Sequence, residues 1–224
     1  TLLVSSAASD VYKRQSPSPP ANNEMSISGV ILAAGKGKRM KSSLPKVLHN
    51  VLGIPMIDYA QEAIGHFESK YVVVGHQSEK VSSTLLESFI PVIQKEQLGT
   101  GHAISTLLES SEFDSDQSQY LVVIPGDVPL IRKDDLDKLV NDVIANEAAI
   151  GLITAKVQNP FGYGRIVKNN EEFEKIIEES DASETEKLIN EINSGIYCID
   201  INFLNSNIGS LESSNNQKEF YLTD

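Results

Sequence analysis

Two glycines, Gly35 and Gly37, are followed or interleaved by five cations, Lys36, Lys38, Arg39, Lys41 and Lys46, with no acid among them. Immediately before them, Val30 to Ala34 is an uninterrupted apolar run of the kind a buried parallel strand shows. Glycine lets a turn expose its N–H groups and lets backbone approach a ligand closely. A strand that ends in glycines and then turns basic outlines a phosphate-binding loop. It is not a Walker loop, since no Gly-Lys-Ser/Thr falls at the required spacing. Nor is it the dinucleotide fingerprint, because Met40 stands where the third glycine belongs. A tight turn with a solvated basic face is the other reading of the same residues.

Two further stretches carry chemistry. Asp127 follows Gly126 and the apolar run Tyr120 to Ile124, so its carboxylate should emerge at a strand end. A hard oxygen ligand there suits Mg²⁺, which takes one or two carboxylates together with substrate phosphates. A turn or helix-capping aspartate is the alternative, given Val128-Pro129 after it. Gln94 to Ala103 combines the amides of Gln94 and Gln97 with Gly99, Thr100 and Gly101. Amide side chains offer both a donor and an acceptor to a base edge. A capping turn with Thr100 as N-cap explains the same residues. His102 reads as structural, since no nucleophile accompanies it. Gly162-Tyr-Gly164-Arg165, Glu178 and Asn193-Ser-Gly195 are polar groups flanked by glycines that could hydrogen-bond a sugar.

The elements that must position these residues alternate. Strands are expected at Val30–Ala34, Lys70–Val74, Ile90–Ile93 and Tyr120–Ile124, and helices over 57–67, 81–89, 101–109 and 134–146. Strands alternating with helices imply an α/β fold, a parallel sheet with right-handed crossovers. In such sheets ligands bind outside the carboxyl ends of the strands. The basic loop, the 94–101 segment and Asp127 all fall there. The second half is less regular, with strands expected at 149–157, 164–168, 173–178 and 192–201 and a helical turn at 184–188.

Bulk properties narrow the class. With 224 residues, 40% hydrophobic, the chain is long enough for one good-sized domain. A formal net charge of −12 argues against a general nucleic-acid binder. The single cysteine, Cys198, excludes an internal disulfide and reads as a core thiol, and four scattered histidines make no zinc constellation. No apolar run reaches membrane-spanning length, so a cytoplasmic enzyme is expected. Residues 1–24 do not match the rest. Ser16 to Pro20 is linker-like, and Val4 to Gln15 resembles translated adaptor sequence, so a non-native or disordered extension is expected, with Met25 as the start. A native disordered arm is the alternative. The ending at Lys218 to Asp224 reads as cut in mid-element.

Leu32-Ala-Ala-Gly-x-Gly-x-Arg-Met40 with Leu44-Pro-Lys46 resembles the signature of sugar-1-phosphate nucleotidyltransferases. Glu96 to Ala103, Gly126 to Leu130, Gly162 to Arg165 and Glu191 to Gly195 narrow the resemblance. Together they look like the N-terminal half of the bifunctional UDP-N-acetylglucosamine pyrophosphorylase / glucosamine-1-phosphate N-acetyltransferase family of bacteria, over residues 27–224. The resemblance implies a Rossmann-like mixed, mainly parallel sheet flanked by helices, and UMP transfer from UTP to N-acetylglucosamine-1-phosphate. It implies that Leu32, Ala34 and Gly35 touch the nucleotide through the backbone, and that Gln94, Gln97, Gly99 and Thr100 meet uracil. Arg39 and Lys46 would be the catalytic cations on the phosphates, Asp127 the Mg²⁺ ligand, and Gly164, Glu178 and Asn193 the sugar contacts. Departures are Pro125 for an expected tyrosine, Ser180 for a basic residue and Ser194 for threonine. An asparagine that completes the family's metal site would lie beyond Asp224. So would the left-handed β-helix that carries acetyl transfer and homotrimer formation, leaving 25–224 as an incomplete nucleotidyltransferase domain.

Overall fold

Val30 and Ile31 are fully buried in the computed structural model, on a strand hydrogen-bonded along both edges. The structure describes residues 2–5, 25–37, 40–114, 116–170 and 172–224. The buried strand, β2 (Ile27–Ala33), pairs in parallel with β5 (Ser69–Val74) and β7 (Tyr120–Pro125), and β5 pairs in parallel with β6 (Ile90–Ile93). Val72, Val73 and Leu121 to Ile124 are fully buried as well. This is why these strands read as continuous apolar runs: helices cover both faces.

On one face, α1 (Met56–Ile64) and α4 (Lys133–Ala145) supply Ile57, Ala60, Ile64, Leu136, Leu139 and Val143 to the core. On the other, α3 (Thr100–Leu108) and α5 (Ile201–Asn207) supply Ala103, Ile104, Leu107, Ile201 and Leu204. A hairpin of β3 (Asn50–Val51) and β4 (Ile54–Pro55) leads into α1. The remaining helix, α2 (Ser78–Ser82), is shorter and earlier than the expected 81–89. There Ser83 Oγ and Thr84 Oγ1 donate to the carbonyls of Lys80 and Val81, and Gln61 Oε1 accepts the Leu86 N–H at 2.7 Å, so residues 83–89 follow as turns. Helix α1 stops at Gly65, and Phe67 is buried just beyond it.

The second half departs from parallel order. β11 (Glu191–Asp200) inserts antiparallel between β7 and β8 (Ile150–Lys156), and β9 (Arg165–Asn169) and β10 (Glu172–Ile177) form a hairpin that meets β11 at Ile192 opposite Arg165. The nine-stranded sheet runs β1–β8–β11–β7–β2–β5–β6, with the hairpin alongside β11. Its edge, β1 (Leu2–Ser5), pairs antiparallel with β8. The sheet is thus mixed and mainly parallel at its centre. Cys198 is fully buried in β11, and burial pushes its thiol up to about 12, as befits a core thiol. Among the described residues no helix is long and apolar enough to cross a membrane.

Candidate active site

The carboxyl ends of β2, β5, β6 and β7 point the same way, and in such sheets ligands bind in the crevice outside those ends. After Pro45, a short 3₁₀ turn, Lys46–Leu48, buries Val47 and Leu48 and leaves Lys46 at the surface. Opposite it, Gly126 donates its N–H to Leu32 O at 3.0 Å. A methyl group on Gly126 would lie 2.9 Å from Val47 Cγ1, so glycine is what allows this turn to close against the Lys46 turn. The result is that Lys46 Nζ forms an ion pair with Asp127 Oδ2. Both side chains keep solvent access, 43% for Lys46 and 28% for Asp127. A pair this exposed is worth about 0–1 kcal/mol to stability. Backbone geometry, and not mutual attraction, brings the two charges together.

Of the cations expected in the basic loop, Lys38 and Arg39 lie outside the described residues. Ala34 is buried and its carbonyl accepts the His76 N–H at 3.1 Å, while a methyl group on Gly35 would meet nothing within 4 Å. The carbonyls of Leu32 and Ala34 are therefore already engaged by Gly126 and His76, and the open backbone of the loop is at Gly35.

Next to this loop lies the 94–101 segment. A methyl group on Gly75 would fall 2.9 Å from Gln97 Nε2 and 3.0 Å from Ala34 Cβ, so the ends of β2, β5 and β6 touch there. Gln94 is 2% exposed; its Nε2 lies 2.8 Å from His102 Nδ1 and 3.3 Å from Gly99 O. Gln97 Nε2 donates to Gln94 O at 3.0 Å, bracing the loop. Thr100 is not the N-cap. Gly99, at φ 113°, takes that position, and Thr100 is the first helical residue, its Oγ1 accepting the Leu222 N–H at 3.0 Å. The helix-end donor Gly101 N–H goes instead to Phe220 O at 2.8 Å, and Phe220 N–H goes to Leu98 O at 2.7 Å. A segment about 120 residues away in sequence does the capping, which no local pattern could reveal.

The third group assembles on the β9–β10–β11 side. Asn193 N–H donates to Gly164 O at 2.9 Å, and a methyl group on Gly164 would lie 3.0 Å from Glu178 Oε1. Gly164, Glu178 and Asn193 are therefore neighbours. Asn193 Nδ2 donates to the Tyr197 hydroxyl at 2.6 Å, and Asn193 Oδ1 accepts the Gly195 N–H at 3.0 Å. Burial raises the Glu178 carboxyl above its usual range; Asp224 and Asp181 raise it further, against the Thr223 hydroxyl and Arg165. Beneath, the buried Arg165 Nη2 holds Glu179 Oε2 at 2.6 Å. A methyl group on Gly195 would lie 3.0 Å from Pro125 Cγ, so this pocket abuts the strand end that carries Asp127.

The Lys46–Asp127 pair, the Gln94–Thr100 loop and the Gly164–Glu178–Asn193 group thus each pack at or against a strand end of the same sheet. Residues 29–187, most of the chain, match the MobA-like NTP transferase domain. The chain belongs to this family. It is similar to the bifunctional protein GlmU of Trichlorobacter lovleyi, 44% identical over 206 residues, which are 89% of this chain and 44% of that protein. The GlmU of Desulfitobacterium hafniense strain DSM 10664 is 42% identical over 197 residues, 87% of this chain and 43% of the relative. The chain spans less than half the length of these curated relatives. Among solved structures, a UDP-glucose pyrophosphorylase complexed with UDP-glucose matches with a TM-score of 0.68 at 18% identity, over 89% of this chain and 85% of that one. A putative glucose-1-phosphate thymidylyltransferase from Bacillus anthracis matches with a TM-score of 0.64 at 21% identity, over 84% and 79%. These likenesses establish the nucleotide-diphospho-sugar transferase fold.

For a member of the MobA-like NTP transferase family, the question of a metal turns on Asp127. Among the described residues, no group of three or more His, Cys, Asp or Glu could hold an ion unaided. One carboxylate suits a Mg²⁺ that completes its octahedron with phosphate oxygens and water, so the donor set fits a metal that arrives with a triphosphate. Sequence reasoning does not single out Gly75, Tyr197 and Thr223, and His102, which reads there as structural, meets the Gln94 amide. Only Tyr197 left a local signal, four residues after Asn193 on one strand.

Proposed function

We propose that the chain transfers UMP from UTP to N-acetylglucosamine-1-phosphate, giving UDP-N-acetylglucosamine and pyrophosphate, in a cytoplasmic setting. The observation that carries this reading is the Lys46–Asp127 ion pair; the amide-rich loop of Gln94 and Gln97 and the neighbouring Gly164, Glu178 and Asn193 support a base and a sugar on either side of it. The similarity to GlmU proteins supports the choice of uracil and N-acetylglucosamine. Acetyl transfer and trimer assembly belong, in this reading, to the longer proteins that the chain resembles.

The chemistry asks for little acid–base work. The sugar phosphate is an anionic nucleophile already, so what remains is in-line alignment on the α-phosphate and neutralisation of charge. Lys46 is free to leave Asp127 for a phosphate, because the exposed pair holds it weakly. Asp127 is then available to Mg²⁺, which would supply Lewis-acid stabilisation of the phosphate oxygens. Arg39 would bind the departing pyrophosphate. Gln94 and Gln97 would read the base, with Gly99 and Thr100 shaping its slot. Leu32, Ala34 and Gly35 would line the nucleoside through their backbone. Gly164, Glu178 and Asn193, which the fold makes neighbours, would hold the sugar.

Pyrophosphate release with UTP, dTTP and GTP, each with N-acetylglucosamine-1-phosphate and Mg²⁺, tests the proposal. UTP should be used best; preference for dTTP or GTP would replace uridylyl transfer by another nucleotidyl transfer on the same fold. A protein that binds UTP yet releases no pyrophosphate in any form would instead be a binding module.

A further inference from the structure

We propose that His102 is a positioning residue that sets which way the Gln94 amide faces, and through it lets the site tell uracil from cytosine. Gly99 O is 3.3 Å from one terminal atom of Gln94, and a carbonyl oxygen can only accept. That terminal atom must therefore be the amide nitrogen. The same nitrogen lies 2.8 Å from His102 Nδ1, and an amide nitrogen only donates. Nδ1 is then the acceptor, and the ring carries its proton on Nε2. Both N–H groups of the Gln94 amide are used, one on Gly99 and one on His102.

What Gln94 has left is Oε1, on which none of the hydrogen bonds of Gln94 to the described residues ends. Gln94 follows β6 directly and its backbone N–H binds Val74 O at 2.8 Å, so it sits at the crevice end of the sheet. An acceptor there matches N3–H of uracil. Cytosine presents a lone pair at N3, so the same acceptor repels it. Gly99 alone, at 3.3 Å, holds the amide loosely. Without the His102 acceptor the amide can turn over and offer an N–H to cytosine. His102 does not touch the base in this account. It acts on substrate choice only if the chain reads uracil, as proposed above.

The test uses the whole chain in three forms: wild type, His102→Phe and His102→Asn. Phenylalanine keeps a ring but has no acceptor; asparagine can place Oδ1 where Nδ1 stands. Calorimetric affinities for UTP, CTP and dTTP with Mg²⁺ are compared. In His102→Phe the UTP-to-CTP affinity ratio should fall about tenfold or more. The UTP-to-dTTP ratio should hold, because thymine shares N3–H, and His102→Asn should restore the wild-type discrimination. Equal weakening towards all three nucleotides, or an unchanged UTP-to-CTP ratio in His102→Phe, overturns the role of His102. A wild-type chain that binds CTP as well as UTP overturns the uridylyl reading itself and this inference with it. An independent measurement needs no variant: long-range ¹H–¹⁵N correlation of the His102 ring should show the proton on Nε2, and finding it on Nδ1 refutes the inference.

Discussion

Replacing Lys46 by methionine should separate catalysis from folding. The side chain is 43% exposed and its partner Asp127 is 28% exposed, so removing the ammonium leaves no buried unpaired charge. The anchors of the turn, Val47 and Leu48, remain in the core, and methionine keeps most of the aliphatic stem. The stability cost is therefore that of a surface ion pair, about 0–1 kcal/mol. In a domain of this size that shifts the melting temperature by no more than about 2–4 °C. A cation that stabilises charge developing on the phosphates is worth far more, on the order of 10²–10³ in turnover, or about 3–4 kcal/mol. Pyrophosphate release with UTP and N-acetylglucosamine-1-phosphate, measured beside a thermal melt, gives both numbers. A melting temperature lowered by more than about 10 °C, with activity lost in step with the unfolded fraction, would make Lys46 a structural residue and refute the reasoning.

Glu178 makes a pH-dependent prediction. Burial raises its folded pKa above the unfolded value, so its contribution to stability is present below the unfolded range and lost as pH rises through the folded pKa. Glu178→Gln should therefore melt higher than the wild type at about pH 8, with the difference closing below about pH 4, while sugar-phosphate binding weakens; a lower melt than wild type at pH 8 would contradict this. Cys198, fully buried with its thiol pushed up to about 12, should resist an aromatic disulfide reagent in the native protein and react with one equivalent after denaturation. Rapid native labelling would show that the β11 core opens.

The parallel half of the fold was legible because burial on both faces leaves one simple mark, an unbroken apolar run. Ile90–Ile93 is found where expected, and Tyr120–Ile124 is extended only by Pro125. Direction leaves no such mark. The apolar residues of β11 are equally consistent with either orientation, and its antiparallel place between β7 and β8 is visible only in the sheet order. The charged pair was legible in type, a lysine after Leu44-Pro45 in the basic stretch and an aspartate after Gly126 at a strand end. Their meeting depends on Val47 packing over Gly126, which is a matter of shape. The alternative of Thr100 as an N-cap fails because Gly99 takes that position and Thr100 Oγ1 accepts the Leu222 N–H instead. In the sequence Gly164, Glu178 and Asn193 read only as polar groups flanked by glycines, and the family resemblance singles them out as sugar contacts. Lying just before β9, just after β10 and within β11, they share no spacing that physical chemistry alone could read.

The two sides of the crevice hang from supports of unequal strength. β2, which carries the phosphate side, is tied along its length to β5 and β7, so exposing its amides to hydrogen exchange means unfolding the sheet. The hairpin behind the sugar side joins the ladder at Ile192 opposite Arg165 and is otherwise held by side chains and loop contacts. With fewer ladder bonds holding it, its amides are expected to exchange with solvent faster than those of β2. A rigid anvil for the triphosphate and a yielding jaw for the sugar follow from how the strands are stitched.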